Sequence, residues 1–273
     1  MIQISRRLSQ AAFLILFLWL FLQTESKGAN ELGYPVKIFL VEDPLMMITT
    51  LLSSRSFFAP IFLALAVVVA TVVLGRVFCG WVCPFGTLHQ LAGLLNRKKP
   101  SLGWTKKGKP GGSPYRVKYY LLLALLAASL FGLQWAGVFD PISLLIRSLS
   151  LAVYPMISYG LRTIFDGLYA LNLPLVTPGA EYLYAGLKRT ILPFSPPLFL
   201  QAVPVGLIFF GLLALNGVEK RFWCKYVCPL GALLGLFSRY AVFSRKVSEG
   251  CTGCGAGGQK WLAEGGMSSL RQL

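Results

Sequence analysis

The chain has 273 residues, 55% of them hydrophobic and only 13% charged. Mean hydropathy is +0.65. A soluble domain carries about 25% charged residues, so this composition argues against one and excludes disorder, collagen and a small disulfide scaffold. Net charge is +16, from 26 Lys and Arg against 10 Asp and Glu. The basic residues fall between apolar blocks, which is how membrane topology is written, and nothing beyond charge points to nucleic acid.

In chain order, the first uncharged block runs from Leu8 to Thr24. Arg6 and Arg7 before it also suit a signal peptide. However, Gln23-Thr24-Glu25-Ser26 offers no small-x-small cleavage site, so the block reads as an uncleaved anchor. The second block is 56–75, the third 119–139 and the fourth 198–218. Each is close to the 20 or so apolar residues that a helical crossing takes. A shorter run, Ser148 to Leu161, contains Pro155 and is bracketed by Arg147 and Arg162. At 14 residues it reads as a re-entrant or amphipathic segment.

Charge orients these blocks. With four crossings and both termini in the cytoplasm, segments 1–7, 76–118 and 219–273 are inside and hold 19 Lys and Arg against 3 Asp and Glu. The outer segments, 25–55 and 140–197, hold 7 of each. This is the positive-inside bias. The expectation is an all-α integral membrane protein with four transmembrane helices as two hairpin repeats. It would sit in a bacterial inner membrane as a membrane domain, 1–240, with a short tail, 241–273.

All six cysteines fall in pairs: Cys79 and Cys83, Cys224 and Cys228, Cys251 and Cys254. The first two pairs sit in matched motifs, 76–88 and 221–233. Arg76 matches Arg221, Phe78 matches Trp223, Val82 matches Val227, Pro84 matches Pro229, Gly86 matches Gly231 and Leu88 matches Leu233, all at an offset of 145 residues. The repeat reads Arg-x-aromatic-Cys-x3-Cys-Pro-x-Gly-x-Leu, and each copy follows a membrane block. On a helix, residues four apart share a face with β-carbons about 5–6 Å from each other. At a cytoplasmic surface thiols stay reduced. Two pairs together supply the four thiolates that an iron–sulfur cluster requires. The arginines ahead of the pairs would lower the thiol pKa, and the proline after each second Cys exposes the preceding turn. Copper(I) on the same soft ligands, or inert thiols in a docking scaffold, are the other readings.

Cys-x3-Cys-Pro is the second half of a ferredoxin run. Two such halves at the ends of membrane hairpins resemble the membrane-bound polyferredoxin family. Its members include the membrane components of periplasmic nitrate reductase systems, and the iron–sulfur proteins of nitrous oxide reductase maturation and cytochrome oxidase assembly. Arg6-Arg7-x-x-Gln10 and Phe139-Asp140-Pro141 are similar to the family as well. The resemblance implies a [4Fe–4S] centre on Cys79, Cys83, Cys224 and Cys228. It also implies electron transfer between a quinone pool or ferredoxin and a reductase or maturation factor, as a component rather than a stand-alone catalyst. The family's soluble two-cluster domain has no counterpart here. Cys251-Thr252-Gly253-Cys254 begins a ferredoxin motif, but Gly257, Trp261 and Leu262 stand where it needs Cys, Cys and Pro. The tail therefore reads as a remnant, and Cys251 and Cys254 as weaker metal candidates.

His89 is the only histidine, and Leu234 occupies its place in the second repeat. It reads as an interfacial polar residue, or as a proton acceptor near a quinone headgroup or a metal ligand. Asp140 and Asp166, with Arg147 and Arg162, read as outer-side residues that line a quinol site, dock a partner or make a salt-bridged loop. Asp140-Pro141 is also a turn or helix start. The basic stretch 97–118 suits anionic lipid or an acidic ferredoxin.

Overall fold

The computed structural model describes residues 2–24, 34–55, 61–75, 77–95, 113–170, 201–217 and 221–242, and every regular element among them is helical. The first helix is α1 (Ile2–Leu22), followed by α2 (Tyr34–Val41), α3 (Pro44–Ser54) and α4 (Ile61–Leu74). A π turn (Phe78–Val82) then leads into α5 (Pro84–Leu95). Next come α6 (Ser113–Leu130) and the single turn α7 (Ala136–Phe139). A helix α8 (Pro141–Ser148), a second π turn (Leu149–Val153) and α9 (Tyr154–Ala170) follow without a break. The last elements are α10 (Ala202–Ala214), α11 (Phe222–Tyr226) and α12 (Pro229–Phe237). The chain divides into two compact units, residues 1–144 with 212–273 and residues 145–211.

Each apolar block of the sequence contains a helix. Among the described residues, two helices are long and apolar enough to cross a membrane, Ile4–Leu22 and Pro141–Tyr169. The first was expected as a crossing. The second corrects the expectation of a short segment at 148–161. Arg147 and Arg162 interrupt the hydropathy but not the backbone, and the helix runs through both for 29 residues. The other apolar helices, α3, α4 and Ala202–Gly217, are shorter. The third block is not one helix: α6 ends at Leu130, Gly132 reverses the chain at φ +82, and α7 starts afresh. A positive φ is open to glycine without the β-carbon clash.

In the larger unit, α12 is the central element. Its Pro229, Leu230, Ala232, Leu233, Leu234 and Gly235 are all buried, and it packs on α6, α4 and α3. α1 lies along the first π turn and α5. By contrast, α1, α4, α6 and α10 expose large apolar side chains, among them Ile15, Trp19, Phe62, Val69, Leu123 and Leu207. In the smaller unit α10 approaches the second π turn at Gly206, where a β-carbon would stand 3.2 Å from Cβ of Ala152.

Candidate metal centre

Each repeat builds the same backbone device. In the first, the amide of Cys83 donates to the carbonyl of Phe78 at 2.9 Å. In the second, the amide of Cys228 donates to Trp223 at 2.9 Å. Both bonds reach back five residues and close the turn that carries the first cysteine. The second cysteine then leaves the helix, at φ −61, ψ 113 for Cys83 and φ −59, ψ 110 for Cys228. Each stands at the N-cap position of the next helix, with Pro84 or Pro229 in the first helical position. Proline suits that position because its missing N–H would have no helical partner.

The expectation that each pair lies four apart on one helical face is therefore corrected. Cys79 lies in a π turn and Cys224 in α11, and their partners cap the helices that follow. The proline is the physical reason, because it cannot extend the preceding turn.

Small residues make room for the sulfurs. The Gly86 amide approaches Cys83 Sγ at 3.5 Å and the Gly231 amide approaches Cys228 Sγ at 3.2 Å. A β-carbon at Gly86 would meet the Cys79 carbonyl at 3.3 Å, and one at Gly231 would meet Cys228 Sγ at 3.4 Å. These amides are donors that a sulfur carrying negative charge uses.

The two repeats meet. None of Cys79, Cys83, Cys224 and Cys228 forms a disulfide. Burial pushes the Cys83 thiol well above its ordinary value, and the charges of Cys79 and Cys224 push it further. Cys228 is raised in the same way by burial, then by Cys224, Cys79 and Cys83. Each buried sulfur thus lies within electrostatic reach of cysteines from both repeats. Cys224 is also raised by burial, with Arg221 and Lys118 acting in the opposite sense. The arginine effect expected from the sequence is present at Cys224, but burial outweighs it. Lys118 is not part of a loop: it lies in α6 and is buried. Arg76, residues 97–112, Cys251 and Cys254 lie outside the described residues.

Four thiolates are the donor set that an iron–sulfur cluster takes. Among the described residues, no group of three or more His, Cys, Asp or Glu side chains forms a ready site for a single metal ion. A tetrahedral ion with metal–sulfur bonds of about 2.3 Å needs its sulfurs within about 4 Å of one another. A cluster places irons and sulfides between its cysteines and so takes them further apart.

Residues 56–101 and 201–248 each match the 4Fe-4S binding domain. These two matches agree with the resemblance to the polyferredoxin family. The chain is 29% identical to the methylamine utilization ferredoxin-type protein MauN of Methylorubrum extorquens, over 71% of the chain and 50% of MauN. It is 27% identical to the ferredoxin-type protein NapH of Escherichia coli, over 74% of the chain and 53% of NapH. An uncharacterized protein of Methanocaldococcus jannaschii is 25% identical over 93% of the chain and 71% of its own length. The chain thus spans about half the length of MauN and NapH. No solved structure matches it significantly. The iron–sulfur and electron-transport reading is shared by these ferredoxin-type relatives.

Side chains beyond the cysteines hold the repeats together. His89 is wholly buried, not interfacial. Its Nδ1 lies 2.7–3.0 Å from the amide group of Asn216, and Phe85 packs edge-on against its ring. Burial holds its imidazole below the ordinary value. Asn216 Oδ1 also accepts from the Arg221 amide at 3.1 Å, and Arg221 Nη2 donates to Gln90. Arg221 stands at φ +57, a left-handed backbone that this clamp maintains. On the other side, Gln10 Nε2 donates to the Gly80 carbonyl at 2.6 Å and Ser9 Oγ to Trp81 at 3.3 Å, which fixes α1 to the first π turn. An apolar cavity of about 360 Å³ lies beside that turn, lined by Phe13, Val67, Phe78 and Val82, with Glu42 its acidic group.

Asp140 is the third correction. It is wholly buried and caps a helix through the amides of Ile142 and Ser143, so it is neither a surface loop residue nor exposed to solvent. The break at Gly132 separates it from α6. Asp166, by contrast, is exposed on α9.

Proposed function

We propose that this protein is a multi-pass membrane polyferredoxin that carries one [4Fe–4S] centre on Cys79, Cys83, Cys224 and Cys228. The centre sits at the cytoplasmic face and passes electrons between a quinone pool or ferredoxin and a reductase or maturation partner. The observation that carries this reading is the convergence of both repeats' cysteines, each pair on the same backbone device. The cluster, when bound, supplies a one-electron couple.

The chain's own residues do the rest. The four thiols anchor the centre, and the Gly86 and Gly231 amides donate toward Cys83 and Cys228. Arg221 and Lys118 offset negative charge at Cys224. The buried shell excludes water, which tunes potential. The cavity beside Phe78 and Val82 is large enough for a quinone ring in this reading. Four crossings built on α1, α4, α6 and α10, with both termini cytoplasmic, are supported by the charge bias and by the apolar side chains that these helices expose.

The test is anaerobic purification in detergent with assays of iron, labile sulfide and copper. About four irons and four sulfides per chain are expected, with both lost on Cys79→Ser and on Cys224→Ser. Copper without sulfide, or iron retained by either variant, would overturn the shared centre.

A further inference from the structure

We propose that Asp43 and Asp140 form one proton-binding site that takes up a proton when the cysteine centre gains an electron. The redox half of this inference rests on the function proposed above.

Both aspartates are 0% exposed. Each caps a helix that opens with proline. Asp43 Oδ1 accepts from the Leu45 amide at 2.8 Å, at the start of α3. Asp140 Oδ2 accepts from the amides of Ile142 and Ser143 at 3.0 and 2.8 Å, at the start of α8. One oxygen of each carboxyl is thus used by backbone. The others, Oδ2 of Asp43 and Oδ1 of Asp140, are buried without a hydrogen-bond partner. The two carboxyls lie within reach of each other, so a single proton between them would satisfy both. The caps meet because α3 packs on α7, where Met46 Cε lies 3.7 Å from the β-carbon position of Gly137.

Two carboxylates in contact without water cannot both be ionised. Asp43, raised by burial and by Asp140, holds the shared proton, and Asp140 accepts it. The pair carries one negative charge. The groups facing it, among the described side chains, are few. Glu42 precedes Asp43 and is itself raised by burial. α4, α7 and α12 carry no charged residue. On α6, Arg116 is exposed and Lys118 acts on Cys224. Arg147 is exposed in the last turn of α8. The remaining neighbour is the cysteine centre. Asp140 acts on Cys83, and α3, which Asp43 caps, packs against α12, which Cys228 caps.

A one-electron donor of the ferredoxin class adds one negative charge at the cysteines. That charge raises the proton affinity of the Asp140 carboxylate. A proton from water then forms one O–H bond there, and the pair becomes two neutral carboxyls. One electron and one proton enter, and net charge in the interior is unchanged. By linkage, a proton taken up on reduction makes the midpoint potential fall as pH rises.

The experiment is an EPR-monitored potentiometric titration of the full-length protein in detergent, from about pH 6 to about pH 9, the range around neutrality where a strongly raised carboxyl titrates. Asp43→Asn and Asp140→Asn keep helix capping, because Asn caps as well as Asp. The expected result is about one proton per electron in the wild type and close to none in either variant, at unchanged iron content. A reduced-minus-oxidised infrared difference spectrum should show a protonated carboxyl C=O stretch gained on reduction and absent in Asp140→Asn. A purely structural role moves neither readout. Glu42→Gln should keep the wild-type slope. A flat wild-type potential, an unchanged slope in both Asp variants, or a flat slope in Glu42→Gln overturns the inference. Absence of iron and sulfide overturns the proposed function and this inference together, whereas an iron-loaded protein with a flat potential overturns only this one.

Discussion

Cys83 and Cys228 hold the deepest sulfurs, and Cys79 and Cys224 are half-buried. In iron-free protein, iodoacetamide should therefore modify Cys79 and Cys224 first, as read by peptide mass spectrometry. The thiolate is the nucleophile, and burial raises the Cys83 and Cys228 thiols, so their modification should accelerate only above the ordinary thiol range. The glycines beside them are a second check. Gly86→Ala drives a β-carbon to 3.3 Å from a backbone carbonyl that cannot swing away, and should cost about 1–3 kcal/mol. Its iron-to-protein ratio should fall below wild type. Gly231→Ala comes no closer than 3.4 Å, to Cys228 Sγ, with the Cys224 carbonyl at 3.7 Å, and should retain more iron. The four cysteines and both glycines were legible in the sequence, because a repeat at a fixed offset exposes every position that it shares. Asp43, Gln90 and Asn216 were not, because they lie outside the repeat and act through contacts made far along the chain. One signal was available: Asp-Pro occurs at 43–44 and again at 140–141.

Helix ends, more than helix faces, build this site. Cys83, Cys228, Asp43 and Asp140 all stand just before a proline that starts a helix. The sequence reading placed the cysteine pairs on helical faces. The local reason it differs is that proline ends one helix and starts the next, leaving the residue before it extended. The 141–169 helix was underestimated for a different reason. Hydropathy stops at an arginine, but backbone hydrogen bonding does not. The link between α5 and the turn after α10 gives a test at this scale. His89→Leu, which installs the residue of the second repeat, leaves Asn216 without its buried partner and should cost about 1–3 kcal/mol. The sign of the pH effect follows from the lowered imidazole. As pH falls through about 6.5, the unfolded chain takes up a proton that buried His89 refuses, and stability present at neutral pH is lost. Thermal unfolding in detergent should shift downward on acidification, and less so in His89→Leu.

For the whole molecule, convergence of the cysteines constrains topology by parity. In the proposed reading Cys83 and Cys224 share one site, which requires an even number of bilayer crossings between them. Among the described residues, the longest helical segments of that interval are α6, Pro141–Tyr169 and Ala202–Gly217. Two can cross, not three. The charge bias selects the first and the last. Alkaline phosphatase fused after residue 134 and after residue 195 should then be active at both positions. Activity at 134 with none at 195 would assign the crossing to Pro141–Tyr169 instead. The all-helical class and the two-part site were legible from hydropathy and repeat. The count of crossings was not, because short apolar helices of similar composition either span a bilayer or pack inside a protein. The repeat also speaks to ancestry. One copy supplies two of the four anchors, so an ancestral half-length chain could complete a centre only by meeting another copy. Fusion made that encounter intramolecular and independent of protein concentration. It also freed the copies to diverge: one carries His89 where the other carries Leu234. An association between equals became a single chain with two dissimilar ends.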